Sequence, residues 1–188
     1  MGSPPAISTP LNVPSLVRPM AETHASRKNQ KLEWRLQQLR SLQAMLTDHG
    51  DDFVAALGKD LEKDPIQAAY TELMIVRNEI DYVTSKLGGW MSVERVPSLV
   101  FLAPCFSEVR RVPLLSPGVL VIGPSNYPLS LSLLPAVGSL AGGNPTVIKP
   151  SELCKNVSNL MARVLPNYFH DGVLQGERVA LGFTNGQL

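Results

Sequence analysis

Between Val112 and Ile148 the chain carries no Asp, Glu, Lys or Arg, a run of 37 positions without a formal charge. A stretch of that length has to be covered, by protein or by lipid. Pro113, Pro117, Pro124, Pro128, Pro135 and Pro145 cut it into pieces, with Asn126 and Asn144 inside it. No 18-residue segment therefore reads as an uninterrupted helix, and membrane insertion is disfavoured. The strands of a parallel sheet covered on both faces are nearly continuous in apolar residues, and that pattern fits the run. Of the 33 charged residues, 26 precede Val112 and 7 follow it, so the two halves face different surroundings.

With 188 residues, 44% of them hydrophobic, the chain can build one ordinary core or two modest subdomains. Lys+Arg 17 against Asp+Glu 16 leaves a net charge of +1, which gives no electrostatic footprint for nucleic acid and no polybasic signal for anionic lipid. Cys105 and Cys154 are too few and too isolated for a disulfide framework or a thiolate metal site. His24, His49 and His170 lack ligand spacing, so no metal site is expected. The N-terminus shows no basic start followed by an apolar core, and a reducing, cytoplasmic location is the expectation.

Along the chain, residues 1–26 are rich in Pro, Ser and Thr without periodicity and read as a flexible extension. A helical region with a connector is expected over 27–115, and a βαβαβ region over 116–188. Leu32, Leu36, Leu39, Leu42 and Leu46 keep the helical period, with Gly50 as the stop. Asp51 and Asp52 are placed to cap a second helix, and Asp64 before Pro65 to cap a third. That third helix carries Ile66, Ala69, Leu73, Val76, Ile80, Val83 and Leu87 on one stripe, ended by Gly88-Gly89. This region reads as an amphipathic scaffold without chemistry. A short strand is expected within 107–112, then strands at 118–123 and 146–149, helices at 129–141 and 153–165, and a third strand at 178–181. Such alternation predicts an α/β fold: a helical region followed by an incomplete doubly wound, Rossmann-like parallel sheet.

Ligands of such sheets bind beyond the carboxyl ends of the strands, which directs attention to two loops. After the first strand stands Gly123-Pro124-Ser125-Asn126-Tyr127-Pro128 in place of Gly-x-Gly-x-x-Gly, so the usual pyrophosphate cradle is absent. Asn126, between two prolines, either satisfies its own turn or presents an amide donor to an oxyanion. After the second strand stands Lys149-Pro150-Ser151-Glu152. Ser151 can cap the next helix with Glu152 in its first turn, or Lys149 and Glu152 can meet ribose hydroxyls at the sheet edge.

Pro117 to Pro128, Leu140-Ala-Gly-Gly-Asn144 and Val147-Ile-Lys-Pro-Ser-Glu152 together resemble the cofactor-binding segment of aldehyde dehydrogenases. Asn-Tyr-Pro, Lys-Pro-Ser-Glu-Leu and the Tyr70-Thr-Glu-Leu-Met-Ile-Val segment are most similar to the class 3 and fatty aldehyde dehydrogenase branch. The resemblance runs from about Arg27 to about Leu174. It implies NAD(P)-dependent oxidation of an aldehyde to an acid, by way of a cysteine thiolate and a glutamate-activated water. By the same resemblance Asn126 is the side-chain donor of the oxyanion hole. Ile122, Gly123, Pro124 and Ser125 lie beside the cofactor, and Lys149, Ser151 and Glu152 contact the adenosine ribose. Glu152 would disfavour a second phosphate on that ribose.

Two departures accompany the resemblance. Ser125 stands where the family usually has an aromatic residue, typically tryptophan, and a small hydroxyl leaves space in the loop. The nucleophilic cysteine and the general-base glutamate have no counterpart, since neither Cys105 nor Cys154 matches the nucleophile position. The expectation is a truncated aldehyde dehydrogenase-like chain, inactive alone. The alternative is a non-catalytic nucleotide-binding module, or a dimerisation partner of a full-length homologue.

Overall fold

The computed structural model describes residues 13–102, 104–112, 116–170 and 173–176. The amino-terminal half is helical: α1 (Val13–Ala25), a 3-10 turn (Lys28–Gln30), α2 (Leu32–Asp48) and α3 (Gly50–Leu61). Next, α4 (Pro65–Ala68), a π-helical stretch (Ala69–Met74) and α5 (Ile75–Met91) follow one another directly, with right-handed helical backbone at both junctions. A small antiparallel pair, β1 (Glu94–Val96) with β2 (Ser107–Val109), leads to β3 (Val119–Ile122), α6 (Ser130–Ala141), β4 (Thr146–Lys149), α7 (Lys155–Tyr168) and β5 (Leu174–Gly176).

The last three strands form one parallel sheet in the order β3-β4-β5, with Ile122 opposite Lys149 and Ile148 opposite Gly176. Chain order equals sheet order, so right-handed crossovers carry α6 and α7 to the same face. A second helical layer lies over them: α2 contacts both, α5 rests on α6, and α3 rests on α7. The resulting core runs continuously from Leu39, Leu42 and Leu46 of α2 through Leu133 and Leu140 of α6 to Ile148 and Met161. The end of α6 is clamped from outside. Asn29 donates Nδ2 to the Gly143 carbonyl at 2.7 Å, and Arg35 donates to the carbonyls of Asn29 (2.9 Å) and Ala141 (3.0 Å). Gly143 sits at φ +84° with Asn29 and Arg35 pressed against it, a place that suits no side chain.

Several expectations are corrected. Residues 13–25 form α1, with Met20 and Thr23 buried, in place of a structureless extension. Pro14 falls in the first turn, where its missing N–H costs nothing. Met20 packs onto Gly118, whose missing Cβ would come within 2.7 Å of the methionine Cε. Gly50 opens α3 and does not stop α2, and α5 runs through Gly88-Gly89 to Met91. Ile66 leaves the apolar stripe at 70% exposure, because the π-helical stretch resets the register before Leu73. Leu120 and Ile122 are about 60% exposed, so β3 is covered on one face and not on two among the described residues. The third parallel strand is Leu174–Gly176, while the expected 178–181 lies outside the described residues. Among the described residues no helix is long and apolar enough to cross a membrane.

Candidate functional site

The two loops singled out in the sequence meet at the carboxyl ends of β3 and β4. Gly123 N–H donates to the Lys149 carbonyl at 2.9 Å and carries the ladder one residue past Ile122. A Cβ on Gly123 would run into Oγ and Cβ of Ser132 in the first turn of α6, so glycine is required for close helix–strand packing. Ser132 donates to the Pro128 carbonyl at 2.6 Å and curls the loop back onto α6. The Cys154 thiol donates to the Ser125 carbonyl at 3.3 Å, which ties the first loop to the second.

Asn126 stands exposed at the tip of the first loop. Its backbone carbonyl accepts from Lys63 Nζ at 3.3 Å, and its side-chain amide makes no hydrogen bond among the described residues. The amide thus does not close its own turn. In the second loop Lys149 is almost covered and forms an ion pair with Glu152, whose side chain is 64% exposed. The hydrogen bond from Lys149, a bond from the backbone of Glu152 itself and the ammonium charge hold the carboxyl below its usual range. Ser151 is buried, and its Oγ accepts from Leu153 N–H at 3.3 Å.

Ser151 does not cap α7, a correction to the sequence reading. The helix begins at Lys155, and Asp60 of α3 takes its free N–H groups, accepting from Asn156 N–H at 3.0 Å and Val157 N–H at 2.8 Å. Correspondingly, Glu72 accepts from Leu129 N–H (3.1 Å) and Ser130 N–H (2.9 Å) at the start of α6. Carboxylates therefore fill both helix N-termini that face this edge. A pyrophosphate cannot occupy either end, in keeping with the missing Gly-x-Gly cradle.

Lys63, Glu72 and Asp60 were not singled out as site residues in the sequence. Glu72 did leave a trace: three residues after Ala69 and four before Val76, it is an acid on an apolar stripe. Cys154 is 1% exposed, and burial pushes its thiol pKa up, helped by the charges of Asp60 and Glu72 against that of Lys63. A buried thiol with a raised pKa is a poor nucleophile. Cys105 lies exposed in the connector between β1 and β2.

The Lys149–Glu152 pair suits a vicinal diol, since an ammonium donates and a largely exposed carboxylate retains an open acceptor oxygen. The unbonded Asn126 amide suits a developing negative oxygen.

Comparison with known proteins gives a consistent result. The profile of the aldehyde dehydrogenase family matches residues 6–176. Aldehyde dehydrogenase family 3 comG of Dictyostelium discoideum is 33% identical over 168 residues, covering 89% of this chain and 35% of that protein. The dimeric NADP-preferring aldehyde dehydrogenase of Canis lupus familiaris is 39% identical over 143 residues, covering 76% and 31%. The substrate-bound structure of Staphylococcus aureus AldH superposes with a TM-score of 0.78 at 28% identity, covering 86% of this chain and 35% of that one. The chain spans about a third of the length of these relatives. By its family profile and its relatives the chain belongs to the aldehyde dehydrogenase family, on the class 3 branch.

Proposed function

We propose that this chain supplies the adenosine-binding edge and the oxyanion donor for NAD(P)-dependent oxidation of an aldehyde to a carboxylic acid. The observation that carries the reading is the joining of the two loops at one sheet edge: Gly123 bonds Lys149, Cys154 bonds Ser125, and both chemically equipped tips lie beyond the same two strands. Glu152 accepts from the adenosine ribose hydroxyls, Lys149 donates to them, and the buried Ser151 holds the turn between the two. Ile122, Gly123, Pro124 and Ser125 form the wall beside the dinucleotide. The nicotinamide of a bound NAD(P) supplies the hydride acceptor. Asn126 directs its amide at the aldehyde oxygen, where negative charge develops as the carbonyl becomes tetrahedral.

Neither thiol of the chain serves as the nucleophile in this reading, because Cys154 is sealed with a raised pKa and Cys105 lies on the connector. The 188 residues by themselves therefore bind nucleotide without turning over aldehyde. The ionised Glu152 favours NAD over NADP by repelling a 2′-phosphate.

Calorimetric titration of the purified chain with NAD and with NADP tests this. Measurable heat with NAD, weakened about tenfold in Lys149→Ala and in Glu152→Ala, is the expected result, as each variant removes one charged hydrogen-bonding group. No heat with the unmutated chain ends the adenosine-edge reading, and cysteine-dependent NADH formation from any aldehyde ends the claim of inactivity.

A further inference from the structure

Two irregularities of the backbone converge on one buried ion pair. Glu62 ends α3 at φ +55°, the left-handed conformation, although it is not a glycine. Asp64 then caps α4, accepting from Ile66 N–H at 2.9 Å and Gln67 N–H at 3.3 Å, and Lys63 is held between these two fixed residues. Glu72 lies in the π-helical stretch Ala69–Met74, a widened turn of a kind frequent at functional sites. Its side chain is 0% exposed, that of Lys63 is 12% exposed, and the two are paired.

Each polar atom of the pair has a defined task. Oε1 of Glu72 takes Lys63, and Oε2 takes the Leu129 and Ser130 N–H groups. Lys63 donates onward to the Asn126 carbonyl at 3.3 Å and lies 4.2 Å above the centre of the Tyr127 ring. The helical scaffold thus grips the 124–128 loop at its tip and at its exit.

We propose that Lys63 and Glu72 are positioning residues that set the direction of the Asn126 amide. The consequence for catalysis rests on the oxyanion reading above, whereas the control of the loop stands on the geometry just given. A residue that only capped α6 would need neither the lysine nor its reach to Asn126. A buried pair of this kind gains little net stability over an apolar one, so its distinguishing effect is to fix a conformation.

The test is NMR of the full 188-residue chain. The readouts are the Asn126 carbonyl 13C shift, relaxation dispersion at Asn126 and Tyr127, and hydrogen exchange at Leu129 and Ser130. Lys63→Met is expected to move the carbonyl shift and bring exchange broadening to Asn126 and Tyr127, and Lys63→Arg to restore both. Glu72→Gln still accepts from the two α6 amides, so it is expected to change their exchange less than threefold while reproducing the Lys63→Met loop signature. Val164→Ala, a core truncation on α7, is the control for lost stability.

An unchanged Asn126 carbonyl in a folded Lys63→Met chain overturns the proposal. An equal loop signature in Val164→Ala, or a failure of Lys63→Arg to restore it, does so as well. Absence of NAD binding leaves these readouts untouched and counts only against the nucleotide reading.

Discussion

The two loops at the carboxyl edge are built in opposite ways. The side chains of the Lys149–Glu152 loop are paired locally: its ion pair spans three residues, and Ser151 closes a turn on Leu153. The Gly123–Pro128 loop depends on a distant part of the chain, since Lys63 and Glu72 lie more than fifty residues before it. A local device survives changes elsewhere in the molecule, while a long-range one transmits them. The first loop, which carries the proposed reacting-oxygen donor, is therefore gripped directly by the helical layer, whereas the second meets that layer only through the Asp60 cap of the helix that follows it.

Truncating Glu72 to Ala should break this asymmetry most visibly. It strands the buried Lys63 and unbonds two amides of α6, at a cost of about 3–5 kcal/mol in urea unfolding. In whatever fraction remains folded, the Leu153 amide should keep its shift while Leu129 and Ser130 move. Gly123→Ala should follow, at about 1–3 kcal/mol, because the new methyl meets Ser132 and the first loop cannot withdraw from α6. Adding Ser132→Ala should return part of that loss, and no recovery would mean that the strain lies elsewhere. Asp60→Ala removes the cap of α7 and should cost about 1 kcal/mol. Its shift changes should centre on the second loop and so mark the limit of that loop's independence.

Smallest is the effect of Glu152→Gln, because the carboxylate is largely exposed and screened. Its folded pKa is lowered, so its stabilisation is complete above the ordinary carboxylate value. That contribution fades as pH falls through the depressed one. Melting temperatures of the wild type and Glu152→Gln should differ slightly at neutral pH and converge in strong acid, and a gap that widens with acid would reverse the sign of the argument.

What could be read from the sequence follows the same division between local and distant. Thr146–Lys149 is a strand as expected, and the Asp64-Pro65 cap is present, because each is specified by neighbouring residues. The charge-free run correctly announced a parallel sheet, but it could not show that α6 and α7 share one face and leave Leu120 and Ile122 open. The α2 end falls within a residue of the expected His49, whereas α5 runs on to Met91, past the Gly88-Gly89 expected to end it. Gly88 and Gly89 stay helical because tertiary packing outweighs a propensity cost of about 1 kcal/mol each. In the site, Gly123, Lys149 and Glu152 were legible as motif letters. Lys63 is not legible, since its partners sit elsewhere in the chain and a lysine in a connector is usually solvated, and Glu72 shows only as an acid on an apolar stripe.

One strand also carries a consequence for handling the molecule. Among the described residues β3 bonds only β4, and its outer side offers an unpaired row of backbone groups next to exposed Leu120 and Ile122. Such a border is a template for strand addition, and a net charge of +1 gives almost no colloidal repulsion against it. Leu120→Lys on this border should therefore raise the concentration at which solutions of the chain turn cloudy.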